Sequence, residues 1–109
     1  EYAMTGLIVV LITVPSPEEG EKIAKALVEK RLVACVNIVS GLSSIYHWQG
    51  KICDEKELLL VAKTRDSLFE RLEHEVKSIH SYKVPEIIAL PIIKGSKEYL
   101  DWIDESTLA

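Results

Sequence analysis

Two extended apolar segments dominate the hydrophobic pattern, and together they run from Leu32 to Thr64. The first is rich in β-branched and aromatic residues, as is typical of a strand, and the second ends in the apolar run Leu58 to Ala62. Between them, Gln49-Gly50 has the composition of a two-residue turn, because glycine takes positive φ without strain. The pattern predicts one very long β-hairpin.

The length of this hairpin bears on how the chain assembles. Each arm has roughly 13–16 residues, so at ~3.3 Å per residue it would span ~45–50 Å, whereas a domain of this size has a radius of gyration of about 13 Å. The tip, with Ile45, Tyr46, Trp48 and Ile52, should therefore overhang its own core, and we expect a second copy of the chain to cover it. The alternative is that Gly41 breaks the outgoing arm and the tip folds back on the same chain.

A strand and a helix are predicted before the hairpin. Residues Gly6 to Val14 are apolar on both faces, which indicates a strand in the middle of a sheet. Ser16 can cap a helix that has Pro17 at its first position and Glu19 three residues after the cap. The helix is expected to reach about Arg31 and to bury one stripe: Gly20, Ile23, Ala24, Leu27 and Val28.

A second helix, a strand and a final helix are predicted after the hairpin. The second helix begins at a cap, Thr64 or Asp66, and runs to about His80. The strand Glu86 to Ile93 contains Pro91, which cannot donate to a ladder and so indicates an edge strand or a bulge. Gly95-Ser96 begins the last helix, which carries three apolar residues on one face: Tyr99, Trp102 and Ile103.

The element order is β-α-β-β-α-β with an added C-terminal helix, which predicts an α+β, ferredoxin-like split β-α-β sandwich. In that fold both main helices lie on one face of a four-stranded antiparallel sheet. The other face would lack a helix although its residues are apolar, which is a second reason to expect packing between subunits. We expect one domain over residues 4–109, with Glu1-Tyr2-Ala3 a remnant ahead of a candidate initiator, Met4.

Composition narrows the functional classes. The net charge is −4 and no Lys/Arg cluster occurs, which argues against nucleic acid and anionic membranes as partners. The longest apolar run, Leu7 to Val14, is too short to span a bilayer, and no signal peptide is recognisable. Cys35 and Cys53 do not form a CxxC pair, so we expect free thiols and a reducing, cytoplasmic location. No hydrolase, nucleotide-binding or metalloprotease motif is present, and we predict that the chain is not an enzyme.

Several short motifs, in a specific order and spacing, resemble the CutA divalent-cation tolerance family. They are Glu29-Lys30-Arg31-Leu32, Ala34-Cys35-Val36-Asn37, Ser44-Ile45-Tyr46 with Trp48, Gly50 and Lys51, Glu57, Lys63-Thr64, His80 with Tyr82, Pro85-Glu86-Ile87-Ile88 and Pro91, and Tyr99-Leu100 with Trp102. The resemblance covers the chain from Leu7 onward. It implies a cytoplasmic homotrimer of ferredoxin-like subunits, a role in divalent-cation tolerance, and copper binding in some members.

His80 is the first candidate metal ligand, since a neutral imidazole at the end of a helix suits copper or zinc. The resemblance implies a copper site made of one Cys and a pair of His, which fall at Ile12, Ile79 and His80 in this sequence, so one ligand of three is present. The proline usual in the family after this His is replaced by Ser81. The alternative is that the ring of His80 hydrogen-bonds a carbonyl. Cys35 is the second candidate, and its alternative is a small buried hydrophobic residue.

A second candidate site is a cleft between subunits, where the hairpin would meet the loop after the second helix. Its predicted residues combine aromatics, carboxylates and one ammonium: Tyr46, Trp48, Glu57, Lys63, Tyr82 and Glu86. Such a cleft would bind a small anionic or polar ligand. The alternative is an interface network of ion pairs and packed rings.

Three functions follow from these candidates. The first is a cytoplasmic, trimeric, non-enzymatic protein of divalent-cation tolerance with no obligatory cofactor, binding copper or another divalent metal weakly. The second is a trimeric small-ligand sensor like the nitrogen-regulatory PII proteins, by fold-level analogy. The third is a purely structural trimer that presents or stabilises another protein.

Overall fold

A computed structural model describes residues 5–109, so the predictions for Glu1-Tyr2-Ala3 and Met4 lie outside the described residues. The elements in chain order are β1 (Leu7–Val14), α1 (Pro17–Glu29), β2 (Cys35–Trp48), β3 (Lys51–Arg65), α2 (Phe69–Ile79), β4 (Ile87–Pro91) and α3 (Lys97–Ser106). The four strands form one antiparallel sheet in the order β2-β3-β1-β4. The predicted α+β class, the central position of β1 and the edge position of the strand that contains Pro91 are confirmed.

The long hairpin forms as predicted. β2 and β3 pair from Cys35↔Lys63 to Trp48↔Lys51, and the turn residues Gln49 and Gly50 both have positive φ, 51° and 77°. The register shifts between Val39 and Leu42, where Gly41 has φ 81°. A β-bulge at Gly41 therefore bends the arm without ending the strand, and the alternative, a break of the arm at Gly41, does not occur.

One hydrophobic core lies between the sheet and the two longer helices. Alternate residues of β1, from Ile8 to Val14, pack with β3, α1 and α2. The Ser16 side chain accepts the backbone N–H of Glu19 at 3.2 Å and Pro17 opens the helix, as predicted. Gly20 brings α1 close to the sheet, because an added Cβ there would lie 3.2 Å from a methyl group of Val14.

Four local predictions are wrong. Thr64 does not cap a helix, because β3 extends to Arg65 and the buried Thr64 hydroxyl donates to the carbonyl of Leu32 at 2.6 Å. Asp66 begins a single 3-10 turn, Asp66–Leu68, and α2 follows it. α1 ends at Glu29, and Val28 is 43% exposed rather than part of the buried stripe. β4 is shorter than predicted, since Pro91 is its last residue.

The second face of the sheet, which we call the open face, is partly covered by α3. Ile103 of α3 packs with Leu7 and Ala34 at one end, which corrects the prediction that no helix lies there. The middle of the open face stays apolar: Val9, Leu11, Val39, Leu59, Val61, Ile88 and Leu90. Three of them, Val39, Ile88 and Leu90, are about half exposed, at 47–52%.

Candidate functional site

A cleft of about 780 Å³ lies where the distal hairpin faces the loop between α2 and β4. Five of the six predicted cleft residues line it: Tyr46, Trp48, Glu57, Tyr82 and Glu86. All belong to one chain, so the hairpin and the loop meet without a second subunit. Side chains alternate along a strand, so Glu57 lies on the open face, as Leu59 does. The cleft is therefore a continuation of the open face, at the end of the sheet opposite α3.

Lys63 is the predicted cleft residue that the structure places elsewhere. It lies on the same side of β3 as Glu57 but six residues along the strand, which corresponds to ~20 Å. Its ammonium donates instead to the side-chain carbonyl of Asn37 on β2. The lining carries three carboxylates, from Glu55, Glu57 and Glu86, and one ammonium, from Lys83.

Two tyrosine hydroxyls bind two of these carboxylates. Tyr82 donates to Oε2 of Glu57 at 2.6 Å, and Glu57 is buried, with 6% of its surface exposed. Tyr46 donates to Oε1 of Glu55 at 3.2 Å in an exposed position. Burial, followed by the hydrogen bond to Glu57, holds the pKa of Tyr82 well above its usual value. The pKa of Tyr46 is also raised, by desolvation and then by the hydrogen bond to Glu55. Both hydroxyls therefore stay protonated and act as donors.

His80 fixes the loop that forms one wall of the cleft. Its buried ring donates from Nε2 to the carbonyl of Thr13 at 2.7 Å, and its Nδ1 accepts the backbone N–H of Tyr82 at 3.0 Å. A carboxylate oxygen of Glu19 lies 3.3 Å from Nδ1 and accepts the N–H of Ser81 at 2.9 Å. A proline at position 81 would lack that N–H, so this departure from the family pattern adds a bond between the loop and α1.

The residues predicted to bind metal do not come together in one chain. Both ring nitrogens of His80 are engaged, which matches the carbonyl-bonded alternative. Cys35 lies beside Lys63, far along the sheet from His80, and its Sγ is 3.6 Å from the hydroxyl of Tyr99. Ile12 is fully buried in the core. Residues 5–109 contain no group of three or more His, Cys, Asp or Glu side chains placed to hold an ion. The described residues therefore do not fit a resident metal site.

Several residues of the site were not predicted from the sequence, and those with polar or charged groups that matter most are Thr13, Glu19, Glu55 and Lys83. Glu55 had a usable signal, because it lies two residues from Glu57 and so on the same side of β3. Lys83 follows Tyr82 directly in the loop. Thr13 and Glu19 contact the loop across more than 60 residues of sequence, and no local pattern indicates such contacts.

Comparison with known proteins gives one consistent result. The family model described as CutA1 divalent ion tolerance protein matches residues 8–106. The divalent-cation tolerance protein CutA of Thermus thermophilus is 61% identical over 99 residues, which cover 91% of this chain and 96% of that protein. The crystal structure of CutA1 from Oryza sativa superposes with a TM-score of 0.92 at 48% identity, covering 94% of each chain. The structure of the periplasmic divalent cation tolerance protein CutA from Archaeoglobus fulgidus gives 0.89 at 49% identity, covering 92% of this chain and 97% of that one.

Proposed function

This chain belongs to the CutA1 divalent ion tolerance family, and we propose that it serves divalent-cation tolerance as a homotrimer of ferredoxin-like subunits. The observation that carries the assembly is the open face. Its apolar middle is bounded by α3 at one end and the cleft at the other. An apolar strip across a sheet is an unfavourable surface in water, and burying it against other copies is the usual solution.

A pair of charge substitutions tests the assembly. Ile88→Glu puts a carboxylate on the open face, whereas Val28→Glu puts one on α1, and the two native side chains are similarly exposed, at 49% and 43%. We expect the native chain to scatter light as a particle of about three times 12.3 kDa. Ile88→Glu should lower that mass and Val28→Glu should not. A native particle of one chain mass, or an Ile88→Glu trimer, would contradict the proposal.

The metal part of the proposal is that copper binds weakly and without a resident site. The support is the occupied ring of His80 and its distance from Cys35. Calorimetric titration of Cu²⁺ into chelator-stripped protein should show only weak binding, because residues 5–109 bring no three His, Cys, Asp or Glu side chains together around one point. The matched variants are His80→Ala and His47→Ala, the latter on the exposed hairpin. A tighter site that only His80→Ala removes would show that the loop rearranges to bind metal.

We further propose that the protein is non-catalytic and works in the cytoplasm. Two free cysteines, one on each arm of the hairpin, suit a reducing compartment. In residues 5–109 no helix has both the length and the apolar character required to cross a bilayer. When the native host is fractionated, we expect to detect the chain in the soluble cytoplasmic fraction. Recovery from the periplasm would overturn the location.

A second candidate function, a small-ligand sensor, is favoured by the cleft itself. Its volume, its three aromatic rings and its charged groups are features of ligand pockets. A small molecule that binds there should raise the melting temperature of the native protein and of Lys63→Ala, because Lys63 lies outside the cleft. It should have no effect on Trp48→Leu. Loss of the shift in Lys63→Ala alone would place the ligand elsewhere.

A further inference from the structure

The lining of the cleft is more acidic than the predicted residue set, which had two carboxylates and one ammonium and was expected to bind a small anionic or polar ligand. Without Lys63, the ionised groups on its lining are three carboxylates and the single ammonium of Lys83. The side chain of Glu57 is buried, where the field of a carboxylate is screened less than at the surface. A small anion would therefore be repelled, whereas a cation would be attracted.

Aromatic rings form much of the remaining wall. Tyr46 and Trp48 approach from the hairpin, and Tyr82 approaches from the opposite loop. The tyrosine hydroxyls are directed at Glu55 and Glu57, and the ring of Tyr82 packs against the ring of His80 with 4.8 Å between centroids. The rings of Tyr46 and Trp48 on the hairpin therefore supply most of the apolar and π surface of the cleft. Ring faces of this kind attract organic cations, and tryptophan does so most strongly.

The arrangement suits an organic cation better than a metal ion. A divalent metal requires several oxygen, nitrogen or sulfur ligands that converge within about 2.0–2.6 Å of one point. No such group exists in the part of the chain that the structure describes. Two of the three carboxylates also share an oxygen with a tyrosine hydroxyl. A volume of about 780 Å³ is far larger than a single ion and is of the size that holds small organic ligands.

We propose that the cleft binds a small organic cation, with an alkylammonium or guanidinium group between the aromatic rings and the carboxylates of Glu55, Glu57 and Glu86. This inference rests on the second candidate function and names the chemical class of its ligand. Trp48 and Tyr46 supply the ring faces from the hairpin, and Glu86 supplies an exposed carboxylate at the edge of the cleft.

Three probes of one shape and different charge test the proposal. Choline is the cation, 3,3-dimethylbutan-1-ol is its neutral analogue and 3,3-dimethylbutanoate is an anion of similar shape. Binding is followed by nuclear magnetic resonance at the backbone amide of Tyr82 and the indole of Trp48. We expect choline to shift both signals in a saturable way, at least fivefold more tightly than either other probe, and more weakly at high salt because charge attraction is screened.

Variants locate the binding and supply the control. Glu86→Gln and Trp48→Leu should each weaken the binding of choline at least fivefold, measured from the shift of the Tyr82 amide signal. Glu98→Gln removes the same charge from an exposed position on α3 and should leave the affinity unchanged. Equal loss in Glu98→Gln would show that choline responds only to net charge, which overturns the proposal.

The remaining outcomes separate this inference from the functions above it. Preference for the neutral or the anionic probe would keep the cleft as a ligand site but overturn the cationic class. If none of the three probes shifts either signal, both this inference and the small-ligand sensor function are overturned. Neither result bears on the proposed trimer, which is tested separately by light scattering of the Ile88→Glu variant.

Discussion

Replacing Tyr82 by phenylalanine removes one hydroxyl from the cleft and tests whether the loop is held by its bond to Glu57. The bond is short, 2.6 Å, and its acceptor is a carboxylate that is only 6% exposed. Hydrogen bonds to charged groups contribute about 1.5–3 kcal/mol, and the desolvated carboxylate would lose its partner. We therefore expect Tyr82→Phe to lower the free energy of unfolding by about 1.5–3 kcal/mol.

Tyr46→Phe is the matched control. It removes the same atom from the same cleft, but its bond to Glu55 is 3.2 Å long and exposed to water. Urea unfolding followed by circular dichroism, at one fixed protein concentration, compares the two variants. Equal losses for both, or no loss for Tyr82→Phe, would refute the view that the buried pair anchors the loop.

The pH dependence of the same pair has a definite sign. Burial and Glu57 raise the pKa of Tyr82 in the folded chain, so the folded state retains this proton at pH values where the unfolded chain has lost it. The stabilisation is complete below the unfolded tyrosine pKa of about 10 and declines as the pH rises above it. The difference in stability between the native chain and Tyr82→Phe should therefore stay constant up to about pH 9 and shrink as the pH rises from about 10 to about 11.5. A constant difference would contradict the assigned cause.

Two further substitutions probe the hairpin and the loop. Gly41→Ala places a side chain at φ 81° and should cost about 1–2 kcal/mol in urea unfolding, because the left-handed region is strained for other residues; an unchanged midpoint would contradict the bulge. His80→Ala leaves the carbonyl of Thr13 without its donor and opens a space in the protein, so it should cost at least about 2 kcal/mol. His47→Ala on the exposed hairpin should stay within about 0.5 kcal/mol, and an equal effect of both would show that the His80 bonds contribute little.

Local patterns in the sequence were sufficient for most of the fold. The Ser16 cap, the Gln49-Gly50 turn and the edge strand at Pro91 each depend on the chemistry of one or two residues, and each forms as expected. The prediction failed at Thr64 because its hydroxyl has two uses, a helix cap or a bond to a distant carbonyl. The hydroxyl donates to the carbonyl of Leu32, which is 32 residues away, and a single sequence does not reveal so distant a partner.

The candidate site depended more on tertiary geometry. Tyr46, Trp48 and Glu57 could be assigned to the cleft because they lie on the distal hairpin, and Tyr82 because its loop ends beside the hairpin. Lys63 shares the strand face of Glu57, yet a strand rises about 3.3 Å per residue, so six residues separate the two groups by ~20 Å. That distance follows from the sequence once β3 is accepted as one continuous strand. Applying it removes Lys63 from the predicted set, and with Glu55 added the expected ligand changes from anionic or polar to cationic.

The position of the cleft links its two proposed roles. The cleft and the apolar middle of the open face occupy one side of one sheet, and β3 carries residues of both, Glu57 in the cleft and Leu59 next to it. A subunit that packs on the open face would then approach the edge of the cleft, and the hairpin that forms one wall would be held more firmly. Assembly and ligand affinity should therefore be coupled in both directions, since each site contributes to ordering the same strand pair. If Ile88→Glu separates the subunits, it should also weaken the binding of choline, although Ile88 is not part of the cleft lining.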